Sequence, residues 1–221
     1  MNNLAFESLR KAMVDSQIRP NKVFDLDVIG AFSAVPKEIF VPKQLQDIAY
    51  IDEDINLSGG RCIMEAMIMG RLFQSLNLRS TDSVMTIASS TGYAAAVLSH
   101  LVASVIGIES RAPMVEKAQN SVSTLGIGNV AFVKSRLQDG LASEAPYNAI
   151  FIEGGVEYIP DALFDQLAEG GRLAAVLRAH DQQVGQACIW TKTNDAISMS
   201  ALFNAQIPVL DEFKVKPKFS F

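Results

Sequence analysis

Between residues 83 and 177 short apolar runs alternate with amphipathic helical stretches, and that alternation admits few architectures. The runs 83–88, 104–108, 130–134, 149–152 and 172–177 are bounded by turn residues and too short for helices, so they read as buried strands. Residues 93–101, 113–125 and 160–167 carry helical spacing between them. Pro113 and Pro160 suit a first helical turn, where an N–H has no partner to lose. Gly126 and Gly170 stand where helices stop. Such strand–helix–strand units cross over right-handedly and build a parallel, doubly wound sheet. The runs 187–192, 196–204 and 218–221 read as strands with no helix between them, which predicts an antiparallel C-terminal edge. The expected fold is Rossmann-like α/β.

Upstream of Asp82 the texture is helical instead. Leu4, Leu9 and Met13 recur on one face, as do Val28, Ala31 and Phe32, and a third helix is expected over 64–76 after the Ser58-Gly59-Gly60 turn. Pro20, Pro36 and Pro42 punctuate the connections. We therefore expect a helical extension over 1–80 and a Rossmann-like domain over 81–221, joined as one compact unit. Composition supports a large core, since hydrophobic residues make up 49% and charged residues only 19%, which excludes disorder as the main state.

Composition also limits the chemistry. With 24 acidic against 19 basic residues and no basic run, no nucleic-acid partner is expected. Cys62 and Cys188 fit no metal or disulfide spacing, and His100 and His180 are too few for a His-rich metal site. Residues 1–13 lack the apolar run of a secretory leader, and the greasy stretch 93–108 is shorter than the ~20 residues of a membrane span. A cytoplasmic protein is expected.

In a doubly wound sheet ligands bind outside the carboxyl ends of the strands. That edge gathers the loop Ala88-Ser89-Ser90-Thr91-Gly92-Tyr93, the strand-end acid Glu109, Ser135-Arg136-Leu137, Glu153-Gly154-Gly155 and the loop after Leu177. Glu109 suits the hydroxyls of a ribose, and equally a solvated strand end. His180 reads as a solvent-facing loop residue, and Met64, Met67 and Met69 as core packing.

The N-terminal half narrows this further. Met13-Val14 with Gln17-Ile18, then Asp25, Val28, Val35-Pro36, Phe40-Val41-Pro42 and Ala49-Tyr50 with Asp52, resembles the opening of the protein-L-isoaspartate O-methyltransferases. The likeness continues through Gly92-Tyr93, Ala95-Ala96-Val97-Leu98, Leu125-Gly126, Asn129-Val130, Ala145-Pro146-Tyr147, Ile159-Pro160 and Gly170-Gly171-Arg172-Leu173. It implies a class I methyltransferase fold, S-adenosylmethionine as cofactor and isoaspartyl carboxylates of damaged protein as acceptors. It assigns cofactor binding to Ala88, Ser90, Gly92, Tyr93, Glu109 and Arg136: Glu109 on the ribose, the backbone at Gly92 on the methionine carboxylate, Tyr93 bracing the loop.

The departures cluster at the same edge. Where the family reads E-x-G-x-G-x-G, this chain has Thr86, Ala88, Ser90 and Gly92. Left-handed backbone at Ala88 and Ser90 would cost ~1–2 kcal/mol each. The T-I-S-Q-P segment becomes Cys62-Ile63-Met64-Glu65-Ala66, with Met64 in place of a hydroxyl. G-D-G becomes Ser135-Arg136-Leu137, and T-A-A becomes Glu153-Gly154-Gly155. Glu65 and Glu153 are expected on the pocket rim, where each would repel a substrate carboxylate by ~1–4 kcal/mol unless Arg61 or Arg136 compensates. The same acids suit an amine-bearing ligand or general-base work, or are salt-bridged with no chemistry. Two readings stay open: methyl transfer as in the family, or a methyltransferase-like binding or scaffold protein. A dinucleotide dehydrogenase is excluded, because the loop offers one glycine where a pyrophosphate needs a glycine-rich turn.

Overall fold

A computed structural model describes residues 3–180 and 182–215. The extension contains α1 (Asn3–Met13), α2 (Leu26–Ala34), a small antiparallel ladder of β1 (Ile55–Asn56) and β2 (Cys62–Ile63), and α3 (Ala66–Leu76). Then follow β3 (Ser83–Ile87), α4 (Tyr93–Leu98), β4 (Ser104–Glu109), α5 (Ala112–Thr124), β5 (Val130–Lys134), β6 (Tyr147–Val156), α6 (Asp161–Asp165), β7 (Leu167–Leu177), β8 (Gly185–Thr193) and β9 (Ala196–Ala205). The seven long strands form one sheet in the order β5-β4-β3-β6-β7-β8-β9. The first five are mutually parallel, and β8 and β9 are antiparallel additions at one edge. This is the Rossmann-like α/β arrangement expected from the alternation, with its antiparallel edge.

The order in which strands are laid down reverses between β3 and β6, so the switch point lies where their carboxyl ends open side by side. Alternate residues of these strands feed two cores. Val84, Ala149 and Phe151 pack with α4, Val122 of α5 and the whole N-terminal extension. Met85, Ile87, Ile150 and Ile152 pack with Leu163, Leu210 and Phe213 on the other face. The extension thus shares its core with one sheet face. Arg172 Nη1 ties it further, donating to the Leu76 carbonyl at the end of α3 (2.7 Å).

Some element ends differ from the sequence reading, each for a local reason. The helix expected over 93–101 ends at Leu98, where the Ser99 hydroxyl donates to the Ala96 carbonyl (2.7 Å). That expected over 160–167 is a short turn of helix, because β7 already begins at Leu167. β6 runs on to Val156, past a register shift between Phe151 and Gly155, because Gly155 also pairs with Pro208 and Leu210 of the returning chain. Phe213 is buried against Tyr158, whereas the strand expected over 218–221, with Phe219 and Phe221, lies outside the described residues. Among the described residues no helix is long and apolar enough to cross a membrane.

Asp25 caps α2, its carboxylate accepting from the N–H groups of Asp27 and Val28 (2.9 and 3.2 Å). Asp25→Ala is expected to lower stability by about 1 kcal/mol in chemical denaturation. An unchanged midpoint would show that water replaces the cap.

Candidate active site

The loop between β3 and α4 adopts left-handed backbone at three alternate positions: Ala88 (φ 60°), Ser90 (φ 45°) and Gly92 (φ 94°). The backbone path of a glycine loop is therefore kept with two side chains on it. Only Gly92 also lacks room, since an added Cβ would lie 2.8 Å from the Phe132 ring. Internal bonds offset the strain. Ser89 N–H donates to the Ile108 carbonyl (3.1 Å), the Thr86 and Ser89 hydroxyls pair at 2.6 Å, and Ser90 N–H points at Glu109 Oε2 (3.3 Å).

Glu109 is fully buried at the end of β4. Arg61, itself buried, closes a fork on it, with Nε to Oε2 and Nη2 to Oε1 both at 3.0 Å. Backbone N–H groups of Ser110 (2.7 Å) and Arg111 (3.1 Å) donate to the same carboxylate. Arg61 reaches onward to Glu212 in the C-terminal segment, at 2.7 Å and 3.1 Å, and to the Ser110 hydroxyl. Such charge-assisted forks are short and directional, and this one joins four separate stretches of chain.

Beside the loop lies a group of buried polar atoms. Lys37 Nζ, Thr91 Oγ1, Tyr93 Oη and Glu153 Oε1 have no hydrogen-bond partner among the described residues. Lys37 stands 5.8 Å from the Tyr93 ring centroid and within electrostatic reach of Glu153. Tyr93 itself packs on Phe40 and Phe32, so it clamps the start of α4 to the extension. Burial, reinforced by Glu109, pushes the Glu153 carboxyl well above the usual range, which favours its neutral form. Burial likewise pulls Lys37 down to about 8, against the pull of Asp54 and Glu153.

The expected site residues thus divide. Ala88, Ser90, Gly92, Tyr93 and Glu109 come together, with Glu153 in contact through Ser90 Oγ (3.5 Å). Glu153 is not on a rim, however: β6 continues through it and it is wholly inside. Glu65 is half-buried, and burial together with Asp54 and Asp52 raises its carboxyl to about 7. The repulsion expected from two ionised rim glutamates is therefore reduced. Arg136 stands apart, its side chain 76% exposed and 3.7 Å from Asp139. It lines, with Glu157, Tyr158, His180 and Glu212, a cavity of about 1020 Å³ beyond the Arg61 fork. Met64 is buried, so the missing hydroxyl is filled by a thioether. Sequence reasoning missed Lys37 and Glu212. Nothing marks a lysine after Val35-Pro36 as buried, and Glu212 is brought to Arg61 from 151 residues away.

The sequence model of the protein-L-isoaspartate(D-aspartate) O-methyltransferases matches residues 8–211. The chain belongs to that family. Curated relatives agree. It is 34% identical to the protein-L-isoaspartate O-methyltransferase of Methanoculleus marisnigri, over 75% of this chain and 76% of that protein. It is also 34% identical to that of Herpetosiphon aurantiacus, over 85% of this chain and 86% of that one. A solved protein-L-isoaspartate O-methyltransferase superposes with a TM-score of 0.79 at 25% identity, covering 92% of this chain, which spans 65% of that longer one. A Plasmodium falciparum structure described as a putative protein-L-isoaspartate O-methyltransferase in complex with S-adenosyl-L-homocysteine shares the fold at a TM-score of 0.77 and 20% identity, over 96% of this chain and 100% of that one.

Lys37→Met keeps the volume and removes the unpartnered ammonium, and is expected to stabilise the fold by about 1–3 kcal/mol near neutral pH. Lys37 has its pKa lowered from 10.5 to about 8, so between those values the unfolded chain holds the proton and the folded chain does not. Wild-type stability should rise with pH across that window, and the advantage of Lys37→Met should shrink there. Denaturation midpoints at pH 7 and pH 10 check this. A less stable variant at pH 7 would mean that Lys37 is satisfied in solution.

Proposed function

We propose that the chain binds S-adenosylmethionine and transfers its methyl group to carboxylates of damaged protein, isoaspartyl groups first, in the cytoplasm. The observation that carries this reading is the left-handed Ala88–Ser90–Gly92 backbone at the switch point, beside Glu109 and the unpartnered buried polar atoms. Strain at two non-glycine residues persists where surrounding structure enforces it, and such places cluster at ligand sites.

The residues present fit an S-adenosyl group at its amino-acid end. Lys37 and Thr91 have free side-chain donors for a carboxylate, and Glu153 has a free acceptor for an ammonium, whereas the Gly92 N–H is taken by the Ser89 carbonyl (2.7 Å). An ammonium there would also favour the ionised form of Glu153. Glu109 is the acceptor for a ribose. S-adenosylmethionine, when bound, supplies a methyl carried on a positively charged sulfur. Full burial of the loop would keep water from that methyl. With the cofactor's ammonium paired to Glu153, a substrate carboxylate would meet a neutralised pair there, and Glu65 half-protonated near pH 7.

A second reading, cofactor binding without turnover, is favoured by Met64, which can offer no proton where the family's motif has a hydroxyl. Calorimetric titration with S-adenosylmethionine and S-adenosylhomocysteine, followed by labelled-methyl transfer to an isoaspartyl peptide, separates the two. The proposal expects micromolar binding and label on the peptide. Binding without label selects the second reading, and no heat or thermal stabilisation at millimolar cofactor contradicts both.

A further inference from the structure

We infer that Arg61 is a latch that decides whether the ribose acid is available: its guanidinium sits on both oxygens of Glu109, and an adenosyl ligand binds only when Arg61 leaves. The inference rests on the proposed function and adds to it the residue that sets ligand affinity.

An ionised carboxylate offers about four lone-pair sites. Glu109 already faces Arg61 Nε and Nη2, the N–H groups of Ser90, Ser110 and Arg111, and the Ser110 hydroxyl. The donors divide unevenly: Oε2 faces only Arg61 Nε and the longer Ser90 N–H, while Oε1 keeps the Ser110 and Arg111 N–H groups, so withdrawal of Arg61 opens Oε2 to a ribose hydroxyl. The backbone donors belong to β4 and the loop and stay with the fold. Arg61 is the one donor on a separate element, the β1–β2 hairpin.

That hairpin is built to move its arginine. Gly59 and Gly60 precede Arg61, both at φ 72°, and Gly60 is exposed. Glycine pairs of this kind absorb backbone rotation at little steric cost. The guanidinium also has somewhere to go. Glu212, whose side chain is 24% exposed, holds Nη1 and Nη2 from the side away from Glu109 and lines the 1020 Å³ cavity. Arg61 can therefore release Glu109 while Glu212 keeps its charge paired. The two arrangements form a two-state element, and a ligand that needs the open one has its apparent affinity reduced by the open fraction.

The test measures binding of S-adenosylhomocysteine, adenosine and free methionine to the wild type, Arg61→Gln and Arg61→Lys, with circular dichroism and thermal unfolding confirming that each is folded. Arg61→Lys keeps the charge beside Glu109 and loses the fork, so it stays informative should Arg61→Gln fail to fold. The latch predicts that Arg61→Gln tightens S-adenosylhomocysteine and adenosine roughly tenfold or more, that Arg61→Lys falls between, and that methionine is unmoved. Equal affinity in folded variants overturns the latch and leaves the proposed function standing. Equal tightening of all three ligands, or weaker nucleoside binding, overturns it also, marking general loosening or a direct ligand contact. Absence of binding to wild type and variants alike removes both the latch and the function on which it rests.

Discussion

Arg61 and Glu109 face each other out of water, and the carboxyl edge of the sheet is organised by their need to stay paired. Taking either charge from water costs several kcal/mol, which only a full set of close partners offsets. The fork, Glu212, the Ser110 hydroxyl and backbone N–H groups at residues 90, 110 and 111 supply that set. Four stretches of chain, the hairpin, the β3–α4 loop, the end of β4 and the C-terminal segment, converge because the two charges require it. Removing one partner alone leaves a buried charge, at a typical cost of about 3–5 kcal/mol.

The second constraint is the seam between the extension and the sheet. Phe32 and Phe40 close over Tyr93, and Lys37 is carried into the interior with them. An unpartnered buried ammonium lowers stability, and a ligand bound beside Glu153 and the strained loop, as the proposed function expects, would offset that cost. The seam and the fork thus meet the same loop, at Tyr93 and at Ser90. Under the proposed function, the seam leaves polar atoms unsatisfied where an amino-acid end would sit, while the fork over-satisfies the acid proposed for the ribose.

Much of this was legible in the sequence, where periodicity carried it. The five parallel strands and the antiparallel edge follow from run length and helix alternation, and the doubly wound sheet they build places the loop and Glu109 on one edge. Gly92 is doubly specified, by a positive φ and by the Phe132 ring. What sequence does not encode locally is who meets whom. Arg61 and Glu109 lie 48 residues apart, and Glu212 a further 103 beyond Glu109. Whether Glu153 lies on a rim or inside depends on how far β6 runs, and that depends on pairing with the returning chain at Pro208 and Leu210. Arg136 turns outward for a similar reason: Leu137 takes the buried place next to it.

A crystal structure of the protein with S-adenosylhomocysteine bears on the account most directly. The account predicts ribose hydroxyls on Glu109, the amino-acid end among Lys37, Thr91 and Glu153, and Arg61 withdrawn to Glu212. A bound ligand elsewhere, with the Arg61–Glu109 fork intact, would contradict it.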